Sequence, residues 1–131
     1  MIVVESTMAQ GTRPTSEVLT EAADMLKAGR WVQGDGWPGA AYNDGLCLEG
    51  GIMAALGLVY DMNQSNGGLN DFYACPAYKA VREYLDEKGE LSKGGGSVWG
   101  WNDTYWRTKA QVLRVLRTVA RREKKKELAS E

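Results

Sequence analysis

The sequence predicts an all-α fold, a compact orthogonal bundle of about four helices with a central apolar helix and long tryptophan-anchored loops. Apolar residues recur at helical spacing in three segments and cover every side of a fourth. The intervening segments are rich in glycine and asparagine, which interrupt regular structure. With 131 residues, 44% of them hydrophobic, the chain can bury a core of its own. We expect a flexible N-terminal tail over residues 1–13, one helical domain over 14–122, and a charged, fraying tail over 123–131.

The first predicted helix runs from about Ser16 to Ala28. Thr15 or Ser16 can cap it, and Gly29 is a typical residue at which a helix ends. The linker Gly29–Gly45 follows, and a loop of this length needs anchoring or a function. We expect its two tryptophans to pack back onto the core. The apolar stripe of this helix consists of Val18, Leu19, Ala22, Met25 and Leu26.

The second predicted helix, Leu46–Tyr60, is apolar on all sides, which is typical of a buried central helix. Its glycines cost about 1 kcal/mol each in helix propensity, so we expect neighbouring helices to approach closely there. Glu49 is its only charge before Tyr60, and a buried carboxylate is costly unless it is paired or protonated. We expect an ion pair with Arg107 or Arg30. A ligand-binding or catalytic acid and an exposed side chain are the alternatives.

Two further helices are predicted towards the C-terminus. The third runs from about Pro76 to Lys88, with proline in its first turn. The fourth runs from Lys109 to about Lys125, and Thr108 with Gln111 forms a capping box at its start. Their apolar stripes are Ala77, Tyr78, Val81, Tyr84 and Leu85 in the third, and Val112, Leu113, Leu116, Val119 and Ala120 in the fourth.

The composition excludes several kinds of chemistry. Histidine is absent, so a Ser-His or Cys-His pair cannot form within the chain, and the commonest zinc ligand is missing. Cys47 and Cys75 are too few for a disulfide framework, and we expect both to be free, buried thiols. Gly94-Gly95-Gly96 lacks the lysine that a phosphate-binding loop needs. We therefore expect no metal and no cofactor. With no transmembrane run and no charged signal region, we expect a cytoplasmic protein.

Aromatic residues are concentrated just before the fourth helix. The aromatic segment, Ser97–Thr108, contains four large aromatic side chains and a central Asn-Asp pair. We expect it to act first as a structural lid over the central helix, with the Asn-Asp pair in a tight turn. The alternative is a small-ligand or enzyme site in an aromatic cleft. That site would consist of Glu49, Trp99, Trp101, Asn102, Asp103 and Arg107.

Charge is unevenly distributed along the chain. Residues 1–106 carry 7 basic and 14 acidic side chains, whereas residues 107–131 carry 9 basic and 3 acidic ones. Such asymmetry suggests an internal match between the two parts or an acidic partner. A solvated face is the simpler interpretation, and a weak nucleic-acid interface is a further one. The candidate partner-binding face consists of Arg114, Arg117, Arg121, Lys124 and Lys125.

The order of several short motifs resembles a family of small uncharacterised helical proteins of actinobacteria and their phages. The motifs are Trp31-x-x-Gly34 after a leading helix, Cys47–Ile52, Trp101-Asn102-Asp103, and Arg107-Thr108 entering a helix with Val112-Leu113. The resemblance covers about Thr15 to Ala120. It implies a compact helical domain and brings no established activity, cofactor or catalytic residue.

These observations favour a non-enzymatic protein-binding module whose target is unknown, an accessory protein of a phage or mobile element acting on a host partner. Self-association is a further expectation, because an acidic body and a basic helix can pair between two copies and form a homodimer.

Overall fold

The computed structural model describes residues 13–34, 36–39, 45–61, 63–64, 68–92 and 95–130. Residues 1–12 of the predicted tail lie outside the described residues. In the described part of the chain all regular elements are α-helices, which confirms the predicted fold class. In chain order the helices are α1 Thr15–Ala28, α2 Leu48–Ala55, α3 Leu69–Tyr73, α4 Pro76–Glu87, α5 Val98–Asn102 and α6 Lys109–Ala129.

Helix α1 is the element against which much of the core packs. It lies along α6 and also contacts α2 and α4. Its buried face carries Val18, Leu19, Ala22, Ala23 and Leu26, and that of α6 carries Val112, Val115, Leu116, Val119 and Ala120. Met25, which we predicted on the α1 stripe, is 37% exposed.

The last turns of α6 continue beyond the predicted end near Lys125. The helix ends at Ala129, and Glu127 accepts hydrogen bonds from the backbone N–H of Ser16 at 3.0 Å and from its hydroxyl at 2.5 Å. These bonds connect the end of α6 to the first turn of α1. Fraying of the charged tail stays a prediction.

Helix α2 is shorter than predicted, Leu48–Ala55 instead of Leu46–Tyr60. Leu46 cannot join it, because its backbone pairs with the loop after α1 in an isolated bridge to Trp31. The other end closes at Gly57, which has φ +74°. The N–H of Leu58 bonds to the carbonyl of Met53 at 2.8 Å, as in a Schellman motif. All residues of α2 except Ala54 are buried.

The loop after α1 crosses the start of α2 at very close range. The N–H of Cys47 bonds to the carbonyl of Gly36 at 3.0 Å. A Cβ atom added at Gly50 would lie 1.7 Å from that same carbonyl oxygen. Gly50 therefore allows backbone to pack on backbone, but its neighbour is a loop and not the helix that we expected. At Gly51 the close neighbour is helix α1, because an added Cβ would lie 2.9 Å from Leu26 Cδ1.

Two short helices were not predicted. Helix α3 follows Gly68, which has φ +80°, in a segment that we predicted as a loop. Helix α5 lies inside the aromatic segment, and Ser97 caps it by accepting a hydrogen bond from Gly100 at 2.9 Å. Five residues are too few for a periodic apolar pattern, which explains why both were missed.

Candidate functional site

Asn102, at the end of α5, is a buried hydrogen-bonding centre. Its Oδ1 accepts bonds from Trp31 Nε1 at 2.8 Å and from the backbone N–H of Leu48 at 3.0 Å. Its Nδ2 donates to the carbonyl of Val32 at 3.2 Å and to Asp103 Oδ1 at 3.1 Å. The side chain thus joins α5, the loop after α1 and the first N–H of α2. With all four bonds formed inside the core, Asn102 acts as a structural residue.

Asp103 also connects α5 to the loop after α1. Its Oδ1 also accepts a bond from the backbone N–H of Gly34 at 2.9 Å. Gln33 donates from Nε2 to the carbonyls of Asn102 at 3.0 Å and Thr104 at 2.8 Å. The backbone groups that the Asn-Asp side chains satisfy therefore belong to Val32, Gly34 and Leu48. We expected bonds within a tight turn of the pair itself, but the nearby carbonyls accept from Gln33 instead.

Arg107 does not pair with Glu49. Its guanidinium carbon lies 3.7 Å from the centre of the Trp101 ring, and its Nε donates to the carbonyl of Trp101 at 2.9 Å. Burial lowers the pKa of Arg107, and the charge of Glu90 opposes this shift. The predicted Glu49–Arg107 ion pair is wrong, because stacking on Trp101 holds the arginine elsewhere.

Glu49 is the second residue of α2, and only 1% of it is exposed. Among the described residues, Trp37 donates to its carboxyl group, with Nε1 3.4 Å from Oε1. Burial raises the pKa of Glu49 to about 7, and the charge of Asp103 raises it further, against the lowering effect of Trp37. Neither Arg107 nor Arg30 is among the groups that shift this pKa. Among the described residues, burial and the hydrogen bond from Trp37 therefore stand where we expected an ion pair with Arg107 or Arg30.

Glu49 lines a pocket of about 340 Å³. The wall comes from the loop after α1, from α2, α3 and α4, and from the start of α5, so most elements of the fold contribute to it. We call it the aromatic pocket. Its described lining residues are Trp37, Glu49, Leu69, Tyr73, Tyr78, Ser97 and Trp99.

The aromatic rings of this pocket are held by their neighbours. Trp37 stacks on Tyr60, with ring centres 5.2 Å apart, and the centres of Tyr73 and Tyr78 are 5.0 Å apart. Burial and then the charge of Glu49 raise the pKa of Tyr73 to about 12. The same two causes raise the pKa of Tyr78. Both phenols are therefore neutral near pH 7.

The structure divides the predicted polar and aromatic cluster in two. Glu49 and Trp99 meet at the aromatic pocket, and Trp99 is 43% exposed. Trp101, Asn102, Asp103 and Arg107 are not among its described lining residues. Trp101 fills the core, whereas the other three aromatic side chains of the segment, Trp99, Tyr105 and Trp106, are exposed. Only Trp101 among these four aromatic side chains therefore behaves as the expected lid. The described lining residues that we did not predict for this site are Trp37, Leu69, Tyr73, Tyr78 and Ser97.

Cys47 gives no sign of reactivity. It is fully buried at the N-cap of α2, where its Sγ accepts a bond from the N–H of Gly50 at 3.3 Å. Burial raises its pKa to about 12, which outweighs the lowering by the helix N-terminus. Burial also raises the pKa of Cys75. Both cysteines are free, but Cys75 is only half-buried, whereas we expected both thiols to be buried.

The basic residues of α6 border a groove of about 630 Å³ between α1 and α6. Arg117, Arg121 and Lys124 line it from α6, and Glu17, Glu21 and Asp24 line it from α1. Arg117 pairs with Asp24 at 3.0 Å. Arg114 and Lys125 are exposed. The predicted basic face thus borders acidic side chains of the same chain.

The fold and the pocket define a small all-α domain with a buried carboxyl group in an aromatic pocket. Its sequence matches the model of a family of unknown function, DUF6197, over residues 10–122, and the chain belongs to that family. No curated protein matches the chain. No solved structure matches it either.

Two features are absent from the part of the chain that the structure describes. No helix there is long and apolar enough to cross a membrane. No group of three or more cysteine, aspartate or glutamate side chains there is placed to hold a metal ion.

Proposed function

We propose that this chain is a binding protein that holds a small organic molecule in the aromatic pocket. The observation that carries the proposal is Glu49, a carboxyl group with 1% exposure in the wall of a pocket built from five segments. Burying such a group without a cationic partner destabilises the fold. A hydrophobic residue of similar size would pack there at no such cost, so a functional use accounts for the acid.

Binding accounts for this pocket better than catalysis. General acid–base chemistry needs a group poised to take or give a proton beside a second group that acts on the substrate. The nearby Asp103 is engaged by Gly34 and Asn102 and does not line the pocket among its described residues. Cys47, with a pKa raised to about 12, is no nucleophile.

A fragment screen by NMR tests this proposal. The full chain, labelled with ¹⁵N, is titrated with cationic, neutral and anionic aromatic and aliphatic fragments while the five tryptophan indole signals are observed. We expect saturable shifts at Trp37 and Trp99 and little change at Trp106, which is 61% exposed and does not line the pocket among its described residues. Fragments that shift no pocket signal, or only that of Trp106, would remove the proposal.

The second candidate is partner binding through the groove between α1 and α6, the protein-binding function that the charge pattern predicts. The groove favours it, because its size and its two rows of opposite charge suit a polypeptide with a matching pattern. The partner would be a host protein or a second copy of the chain. Mass measurement in solution tests the homodimer.

A pull-down with the triple variant Arg114→Ala, Arg117→Ala and Arg121→Ala tests the role of α6. We expect the variant to lose a partner that the unchanged chain captures. Equal capture by both would remove the basic face from the proposal. The control is Arg82→Ala on α4, an exposed arginine outside the groove lining.

Nucleic-acid binding through the same face is a weaker proposal, because a polyanion would also meet Glu17, Glu21 and Asp24. Its affinity would fall steeply with added salt. A gel shift at low salt tests it, and an unshifted band ends it.

We also propose a phage or actinobacterial origin and a cytoplasmic location. The order of the motifs supports the origin, and the two free cysteines suit a reducing compartment. Cell fractionation of the full-length gene product tests the location, and its appearance in the medium would contradict it.

A further inference from the structure

We propose that the aromatic pocket binds an organic cation, an ammonium group carried on a small apolar body. This inference rests on the proposed function, since it names the class of ligand that the same pocket would hold. It draws on the charge of the pocket, on its aromatic lining and on its size.

The charge around the pocket is negative. Glu49 carries the one carboxyl group among the described lining residues, and none of those residues is cationic. The charge of Asp103 acts on Glu49, and the charge of Glu49 acts in turn on Tyr73 and Tyr78. A bound anion would meet repulsion from Glu49 and Asp103, whereas a cation would relieve the cost of burying the carboxyl group of Glu49.

The remaining lining residues suit the same class of ligand. Four of the seven described lining residues are aromatic, namely Trp37, Tyr73, Tyr78 and Trp99. Tryptophan and tyrosine attract a cation through the negative faces of their rings. Aromatic rings around one carboxyl group are a typical arrangement for recognising an alkylated ammonium group, which offers few hydrogen bonds.

The size of the pocket limits the ligand. Its volume of about 340 Å³ is at the lower end of the range of small-molecule sites, roughly 300–1,000 Å³. Leu69 adds an apolar patch to the wall, and the half-exposed Trp99 gives access from solvent. The ligand is therefore a small amine or quaternary ammonium compound with its charge directed at Glu49.

A matched pair of probes tests the inference. Choline and 3,3-dimethylbutan-1-ol have almost the same shape, but only choline is charged. The ¹⁵N-labelled full chain is titrated with each at pH 8, where Glu49 is ionised, and the indole signals of Trp37 and Trp99 are followed. We expect choline to bind at least about tenfold more tightly, which corresponds to about 1.4 kcal/mol.

Two variants distinguish the contribution of the carboxyl group to choline binding from that of the aromatic rings. Glu49→Gln keeps the shape, and we expect it to weaken choline at least about tenfold while leaving the neutral alcohol unchanged. Trp99→Leu changes a half-exposed residue at the pocket, so the fold should survive, and it should weaken choline through the lost aromatic ring. The matched control is Glu83→Gln, an exposed acid on α4 outside the described pocket lining.

The pH dependence of choline affinity is an independent test of the role of Glu49. Among the described residues, the titratable groups that interact with Glu49 are Cys47, Tyr73, Tyr78 and Asp103. Of these, Cys47 and the tyrosines stay protonated below pH 8, because their pKa values are raised. A cation stabilises the ionised form of Glu49, so its affinity should rise between pH 6 and pH 8, with release of protons to the buffer.

The outcomes distinguish this inference from the proposed function. If the alcohol and choline bind equally well, or if Glu49→Gln keeps full affinity for choline, the inference that the ligand is a cation is wrong. The proposal of a small-molecule site would remain. If neutral or anionic fragments shift the signals of Trp37 and Trp99 but choline does not, the cation inference is likewise wrong and the small-molecule site remains. If no compound shifts either signal, both the inference and the proposed function fail.

Discussion

Replacing Asn102 by alanine tests whether this one side chain joins three parts of the fold. The change removes the bonds to Trp31 Nε1, the N–H of Leu48 and the carbonyl of Val32, all across a site with 0% exposure. Each buried group left without its partner costs about 1–3 kcal/mol. We expect the free energy of unfolding to fall by about 4 kcal/mol, a large share of the roughly 5–15 kcal/mol of a typical domain.

Urea unfolding followed by tryptophan fluorescence measures this loss. With a slope of about 1.5 kcal/mol per molar urea, the midpoint should fall by about 2–3 M. The matched control is Asn63→Ala, an exposed asparagine in a loop, which should change the free energy by less than about 0.5 kcal/mol. A loss below about 1.5 kcal/mol for Asn102→Ala would refute the assigned role, since it would mean that water or a rearranged loop replaces the bonds.

Three further predictions concern stability. Burial raises the pKa of Glu49 from 4.5 to about 7, so the folded state keeps the proton of Glu49 at pH values where the unfolded state loses it. The free energy of unfolding should therefore fall by about 3 kcal/mol as the pH rises from 4.5 to 7. Glu49→Gln should remove this pH dependence in urea titrations, and an unchanged dependence would contradict the assigned cause. Gly50→Ala should lower the melting temperature despite the better helix propensity of alanine, because its Cβ would collide with the carbonyl of Gly36; a higher melting temperature would disprove that close approach. Glu127→Ala should cost about 1 kcal/mol through its two bonds to Ser16, measured by urea unfolding, and no change would show that the end of α6 frays.

The helices with strong periodicity were predictable from the sequence. Helices α1 and α4 begin and end within about one residue of their predicted bounds, because proline and glycine mark them locally. The expected cap of α1 by Thr15 or Ser16 is wrong, since Pro14 is the N-cap residue and no side chain caps the helix. The start of α6 was equally clear from the capping box at Thr108, which forms in full. These signals act within one turn of helix, so a single sequence contains them.

What could not be predicted depends on contacts between distant segments. The N-terminal limit of α2 is set by the pairing of Leu46 with Trp31, fifteen positions away. The partner of Glu49 was expected to be a cation, but Trp37 from the preceding loop occupies that role among the described residues. Trp37 was expected to anchor its loop, and Tyr78 was placed on an apolar stripe. Nothing local indicated that these rings would meet around one carboxyl group.

The crossing of Gly36 and Gly50 has a consequence for recognition. Trp37 follows one of these glycines and Glu49 precedes the other, so the backbone contact fixes the spacing between the indole and the carboxyl group. The indole and the carboxyl group would therefore be in position before a ligand binds. Little affinity would be lost to ordering these side chains on binding. Selectivity at this wall would then be set by main-chain geometry. Exchanging the side chains alone, without the two glycines, would not transfer the site to another helix.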